Sequence, residues 1–446
     1  MLLTADWALP VSGPPVPGGA VAVRGAHIAA VGPAEELRLA FPNTKEHAFS
    51  GCVLTPGLVN AHTHLSLTAL GGLLPSAPFP EWVRLLAEVL RGLGPDDLAA
   101  SASLGALRCL RCGVTAVGDV AYGPEALAAA ADLGLGGAFF WEVFGTTKRG
   151  LEERLAAAEY PAGDAGCGPR ATCGLTPHSI YTSGPGLLRA AWRAARESDR
   201  PMMLHVAESA AEMRLAASGD GPLRPVARRL AHRFRVPRAS PVSYLTRLGV
   251  LEGTVAVHCV HLAHGDAERL AANAGGVVLC PTSNEFLENG PPPVACLRAA
   301  GCRLAVGTDS AASAPEAWVI GEARLLASLD AGLSPEALLR MLTADGAETL
   351  GVGDRFGTLE EGKQADVVAF RLGPSPDPVR TLLQSASPED VEAVMTGGVW
   401  RILERRPAFG ELQLEQAAEG VRSKAAELLR RAESRPGRDG DPPVRH

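Results

Sequence analysis

The stretch TPGLVNAHTHLSLT, residues 55–68, joins a proline–glycine turn to a short apolar run that ends in His62 and His64. Side chains alternate along a strand, so residues at i and i+2 face the same way. Two neighbouring imidazoles repel when both are protonated, but they share a cation readily. The rest of the chain can be read for strands that end as this one does.

Seven further runs do so. VTAVGDV (114–120), GGAFFWEVFG (136–145), ATCGLTPHS (171–179), PMMLHVAES (201–209), GTVAVHCVH (253–261), GVVLCPTSN (276–284) and RLAVGTDS (303–310) are apolar until a polar group appears. With CVLTPGLVNAHTH (52–64) they make eight, and Ala/Leu/Arg/Glu-rich helical segments separate most of them. Continuous apolar strands alternating with helices indicate a parallel sheet. Eight such units over about 300 residues predict an α/β fold, a (β/α)8 TIM-like barrel.

The chain ends read differently. GGAVAVRGAHIAAVG (18–32), GTLEEGKQADVVAF (357–370) and VEAVMTGGVWRI (391–402) alternate apolar and polar residues between turns. Paired, they predict a small β-sandwich domain built from 1–55 with 357–410, around a barrel at 56–356. Residues 411–446 begin as an amphipathic helix and end in a polar, proline-rich tail expected to be disordered.

Bulk properties narrow the function. A chain of 446 residues with 46% hydrophobic content can bury a large core. Its net charge of −7 argues against nucleic-acid binding, which needs a basic face. Nine cysteines at irregular spacing do not suggest a disulfide framework and point to a reducing cytoplasm. Cys109 and Cys112 have C-x-x-C spacing but no second pair, and read as structural. Asp6 interrupts the first apolar residues, so no signal peptide is expected. The most apolar stretch, 126–144, is broken by Asp132 and Glu142, so no membrane span is expected either. The partner expected is a small-molecule substrate, with homo-oligomerisation left open.

The strand ends carry His62 and His64, Asp119, Glu142, His178, His205 and Glu208, His258 and His261, Asn284 and Asp309. In a barrel of this type the strand C-termini line the active-site mouth. Taken singly, each has a plainer reading: a half-buried histidine, a turn residue in GTDS, a helix-start charge at Glu208. The repetition across strands asks for a shared cause. His62, His64 and His205 supply three nitrogens and Asp309 one oxygen, a set suited to one divalent ion, zinc or iron, with room for water. A carboxylate after the apolar run RLAV needs a partner, and a cation supplies one. Two-metal barrels that use a bridging lysine need one on the fourth strand. The four lysines are 45, 148, 363 and 424, and only Lys148 lies in the barrel region, in a loop.

PGLVNAHTHL, TPHSIYT, LHVAESAAE, VHCVH, CPTSN, VGTDSAAS and GTLEEGKQADVV follow in this order over most of residues 50–400. Together they resemble the amidohydrolase superfamily in its deaminase branch. The resemblance implies a mononuclear site held by His62, His64, His205 and Asp309, with Glu208 as proton shuttle. It also implies a catalytic His258 and a substrate-binding His178, and Asp309 doubles as proton acceptor from water. His261 reads as structural. Trp82, in FPEWVRLLAEVL, either covers the substrate or packs a helix, and Glu142 either contacts the substrate or is a buried structural carboxylate.

The implied activity is hydrolysis of a ring's exocyclic amine to a carbonyl, releasing ammonia. FFWEVFG and SPVSYLTRLGVLEGTVAVHCVH resemble the aminodeoxyfutalosine deaminases of menaquinone biosynthesis, although Ser66 stands where those enzymes often carry Glu. S-adenosylhomocysteine/methylthioadenosine deaminases are the next likeness. They usually carry a ribose-binding Glu nine residues after the Trp, where this chain has Arg91. Guanine-type deaminases and triazine hydrolases would share the metal site, and a two-metal cyclic amidase the fold.

Overall fold

The computed structural model describes residues 1–157, 166–231, 234–315 and 318–433. Eight short parallel strands form its centre. They are Leu58–Thr63 (β1), Val114–Ala121 (β2), Gly136–Glu142 (β3), Ala171–Thr176 (β4), Met203–Val206 (β5), Val255–His258 (β6), Gly276–Leu279 (β7) and Leu304–Val306 (β8). β1 to β4 pair in sequence, as do β5 to β8. Single bridges join the halves: Leu175 to Met202 between β4 and β5, and Thr63 to Asp309 between β1 and β8. The ring therefore closes as a (β/α)8 barrel.

The barrel interior is packed. Val59, Ala116, Phe140, Met203, Val257 and Val278 belong to one buried cluster that also takes in Ala347, Leu350, Val352 and Phe356. Leu350 lies against Gly118 and Phe356 against Gly136 at the start of β3, so this segment plugs the N-terminal end. A larger apolar layer separates the strands from the surrounding helices.

Four differences from the sequence reading have physical causes. First, residues 52–64 are two strands. Glu46–Pro56 pairs with Leu2–Ala8 and Val367–Arg371, and only after Gly57 does the chain enter the barrel as β1. A Cβ at Gly57 would stand 1.8 Å from Thr115 Oγ1, so glycine is what lets the chain cross there. Second, β5 and β6 are shorter than the apolar runs that contain them. The chain turns out of the sheet through positive φ at Ala207, His258 and Cys259. Third, the strand expected over 276–284 stops at Leu279. Pro281 then starts a helix, Pro281–Phe286, its ring preset for a first helical turn. Fourth, within 357–370 strand geometry begins only at Val367.

The chain ends form one nine-stranded sheet from strands within 2–56 and 367–407, paired antiparallel except where Leu2–Ala8 meets Glu46–Pro56. The helix Glu411–Glu433 lies across Phe79–Leu90 and Pro95–Arg111, burying Ala418, Val421, Ala425 and Leu429. The tail expected to be disordered lies outside the described residues. The cysteines form no framework: Cys167 and Cys173 are bonded, and the other seven are free. No helix among the described residues is long and apolar enough to cross a membrane.

Candidate metal centre and active site

At the C-terminal end of the barrel, the β1 register shifts between Asn60 and Thr63. Such an irregularity re-aims side chains. Asn60 bonds Thr308 on the neighbouring segment, its Nδ2 donating to Oγ1 at 2.8 Å and its Oδ1 accepting from the Thr308 amide at 3.0 Å. His62 turns to the interior, its Nδ1 lying 3.3 Å from Met203 Sδ. Asp309 reaches the same point from behind β8. Its Oδ1 lies 3.5 Å from His62 Nε2 and 3.4 Å from His64 Nε2.

His205, from β5, completes the cluster. Its ring centroid lies 5.1 Å from that of His62 and 5.9 Å from that of His64. Its Nδ1 lies 3.1 Å from the carbonyl of His178, the usual anchor that orients a metal-binding imidazole. Ligand-capable atoms of His62, His64 and Asp309 fall within 4.8 Å of one another, as do those of His62, His205 and His258. Glu142, His178 and His205 form a third such group.

The donor set fits a cation. His62 Nε2, which faces Asp309 Oδ1, is buried with no hydrogen-bond partner among the described residues. A buried polar atom left unmet costs about 1–3 kcal/mol, so its presence asks for an occupant. Burial pushes His64 and His178 down to about 3 and His258 to about 4, which keeps these rings neutral and their lone pairs available. Burial works to raise Asp309, and the neighbouring imidazoles of His62, His64 and His258 outweigh it and lower it. Neutral nitrogens with an ionised carboxylate are what a divalent transition metal binds.

Glu208 is the opposite case. Burial, then the charges of Asp309 and Glu212, raise it well above the ordinary value, which favours its protonated form. Its Oε1 lies 3.9 Å from His258 Nε2 and accepts from Asn289 Nδ2 at 3.4 Å. The helix-start role weighed for Glu208 falls instead to Ser209 and Glu212. Ser209 Oγ accepts from the Glu212 amide, and Glu212 Oε2 accepts from the Glu208 amide at 2.9 Å.

His178 Nδ1 sits 2.9 Å from the hydroxyls of both Ser179 and Thr182. Burial raises Glu142 to about 8. Trp82 stands apart from this group, packed in the apolar layer with Phe79, Leu85 and Val89. Its helix edges a groove of about 630 Å³ lined by Glu81, Arg84, Ser209, Leu287, Glu288 and Asn289. His178, Ala207, His258, Cys259 and Asp309 all hold positive φ. Non-glycine residues accept such strain, about 1–3 kcal/mol each, where function fixes the backbone.

Sequence reasoning missed Asn60, Met203, Ser283, Asn289 and Ser313. Ser283 had a signal, standing beside Asn284 in CPTSN. The others meet the site through residues distant in the chain, Ser313 also bonding the nearby Ser310.

Comparison with known proteins fits this geometry. The amidohydrolase family pattern matches residues 53–401, and an imidazolonepropionase-like composite domain matches 19–43. A 5-methylthioadenosine/S-adenosylhomocysteine deaminase of Desulforudis audaxviator is 31% identical over 89% of this chain and 92% of its own. An aminodeoxyfutalosine deaminase of Deinococcus radiodurans is 33% identical over 81% of this chain and 88% of its own. The crystal structure of an adenosine deaminase from Xanthomonas campestris with bound zinc superposes with a TM-score of 0.83 and 26% identity, covering 96% of this chain and 98% of that one. A barrel whose strand ends gather these imidazoles around one carboxylate, matched along most of its length, belongs to the amidohydrolase family.

Proposed function

We propose that this protein is a metal-dependent hydrolytic deaminase acting on the adenine of a nucleoside-like substrate, replacing the exocyclic amine by a carbonyl and releasing ammonia. The observation that carries the reading is geometric: ligand atoms of His62, His64 and Asp309 lie within 4.8 Å of one another, His205 and His258 close on the same His62, and the buried Glu208 stands 3.9 Å from His258 Nε2. Burial raises Glu208 and the neighbouring imidazoles lower Asp309, the directions that suit an acid and a base.

His62, His64, His205 and Asp309 would hold one divalent ion, zinc as in the Xanthomonas relative or iron in its place. Such an ion supplies Lewis acidity that makes water a nucleophile near neutral pH. The residues do the rest. Asp309 takes the proton of the attacking water. Glu208 gives its proton to the ring nitrogen beside the attacked carbon, so the adduct forms without a net negative charge. Proton transfer by placed groups contributes about 10²–10⁴-fold. His258 orients the water from the side opposite Asn284; the proton held by Asp309 then passes to the leaving amine, the adduct's hydroxyl proton returns to Glu208 as the carbonyl forms, and ammonia departs. His178 and Glu142 would contact the nucleoside.

We assign aminodeoxyfutalosine as the preferred substrate, placing the protein in menaquinone biosynthesis in the cytoplasm. Support comes from the Deinococcus relative and from residue 91. Arg91 is ion-paired with Glu88, where methylthioadenosine-type enzymes usually carry a ribose-binding Glu. The similar identity to the Desulforudis enzyme keeps methylthioadenosine and S-adenosylhomocysteine as the second reading. Ammonia release from a panel of adenosine, methylthioadenosine, S-adenosylhomocysteine, aminodeoxyfutalosine and guanine tests this. Turnover of adenine nucleosides, fastest with aminodeoxyfutalosine, is the expected result. Turnover of guanine alone, or of nothing by zinc-loaded protein, overturns it.

A further inference from the structure

Two neighbours in the CPTSN stretch hold two different site residues. β7 lies between β6 and β8 in the sheet. The chain that leaves it is forced by Pro281 into a helical turn, on which consecutive side chains diverge by about 100°. Ser283 therefore points to one flanking strand and Asn284 to the other. Ser283 Oγ donates to Asp309 Oδ2 at 2.6 Å and lies 2.9 Å from Ser313 Oγ, while the other oxygen, Asp309 Oδ1, accepts from the Ser310 amide at 2.7 Å. Asn284 Oδ1 lies 3.0 Å from His258 Nδ1. Ser283 and Asn284 are fully buried. The turn itself is held from outside, since the Thr282 amide donates to Glu322 Oε2 at 3.0 Å.

We propose that Ser283 and Asn284 are positioning residues, and that this single turn sets the mutual placement of Asp309 and His258. Ser283 fixes the carboxylate plane, so that one oxygen is committed to the serine and the other faces His62 and His64. Asn284 accepts the Nδ1 proton of His258, which fixes the tautomer and leaves Nε2, the nitrogen facing Glu208, as the acceptor. A carboxylate at position 284 would serve the same hydrogen bond but would favour a charged ring. The amide holds the ring without charging it.

The two residues separate experimentally because only Asp309 belongs to the proposed ligand set. In zinc-loaded protein, Ser283→Ala is expected to lower kcat by about 10- to 100-fold at unchanged KM and to speed zinc loss to EDTA. Ser283→Thr keeps the hydroxyl and is expected to restore both. Asn284→Ala is expected to lower kcat with zinc loss unchanged. It should also change the His258 ring signals in a long-range ¹⁵N–¹H spectrum, because the tautomer is no longer fixed. Asn284→Asp keeps the acceptor at Nδ1 but favours the charged ring, and should shift the His258 signals toward the doubly protonated form. Unchanged zinc loss in Ser283→Ala, or an unchanged His258 tautomer in Asn284→Ala, overturns the proposal. Zinc loss from Asn284→Ala as fast as from Ser283→Ala also overturns it. The kcat arm rests on the deaminase reading. If the wild-type protein deaminates nothing, that reading fails, while zinc release and the ring spectrum still decide this one.

Discussion

Glu208 and His205 sit three residues apart on and just after β5, yet their environments ask different things of them. Glu208 is buried beside other acids, which favours its protonated form. Glu208→Gln preserves the shape and the bond from Asn289 but has no proton to give, so kcat should fall by about 10²–10⁴-fold with metal content unchanged. Ammonia assays beside elemental analysis check this, and undiminished turnover would remove Glu208 from the mechanism. His205 is tied through Nδ1 to the His178 carbonyl. His205→Ala should abolish activity together with metal content. Both residues were legible in LHVAES because a histidine and a glutamate close an apolar run there. Ser283 had only the signal of its neighbour Asn284, because its own importance lies in Asp309, which follows it by 26 positions. Asn60 escaped for the same reason, its partner Thr308 lying on the far side of the ring closure.

At the scale of elements, apolar runs marked the existence of all eight strands and misplaced the ends of several. A hydrophobic pattern reports burial, and residues 207–209 and Cys259 are buried like the strands they follow. What ends each strand is backbone conformation, which composition does not display. The Gly57 crossing is the sharpest case, and it is testable. Gly57→Ala drives a methyl into Thr115 and should cost about 1–3 kcal/mol in urea denaturation. Thr115→Ala in the same chain should recover part of that loss, and simple additivity of the two changes would dismiss the contact. Glu322, behind the CPTSN turn, offers a pH test. Burial raises it from 4.5 to about 7. Between those values the unfolded chain releases a proton that the folded chain keeps, so stability falls as pH rises and levels off above about 7. Glu322→Gln removes that loss while its carbonyl still accepts from Thr282. The variant should therefore gain on wild type between about pH 5 and about pH 8, by up to about 3 kcal/mol at 1.36 kcal/mol per pKa unit. A constant difference in melting temperature across that range would contradict the assignment.

For the whole molecule, the consequence of the site is mechanical as well as chemical. The barrel consists of two four-stranded half-sheets whose seams are single bridges, at Leu175/Met202 and at Thr63/Asp309. The proposed ligands straddle those seams. His62 and His64 end one half, and His205 and Asp309 belong to the other. A cation bound by all four would tie the halves together at the open end, opposite the apolar plug around Leu350 and Phe356. An ion that binds only the folded chain stabilises it by RT ln(1 + [M]/Kd), about 4 kcal/mol at a thousandfold excess over Kd. Spread over the unfolding entropy of a chain this long, that is a shift of a few degrees in Tm. Stripping the metal from wild-type protein should therefore lower Tm by a few degrees, and zinc should restore it. Glu208→Gln should show the full shift, because Glu208 lies outside the proposed ligand set, whereas His205→Ala should show little or none. A zinc shift that survives in His205→Ala would place the ion elsewhere, at the Glu142 side of the cluster or outside it, and would separate the family's fold from its proposed chemistry in this chain.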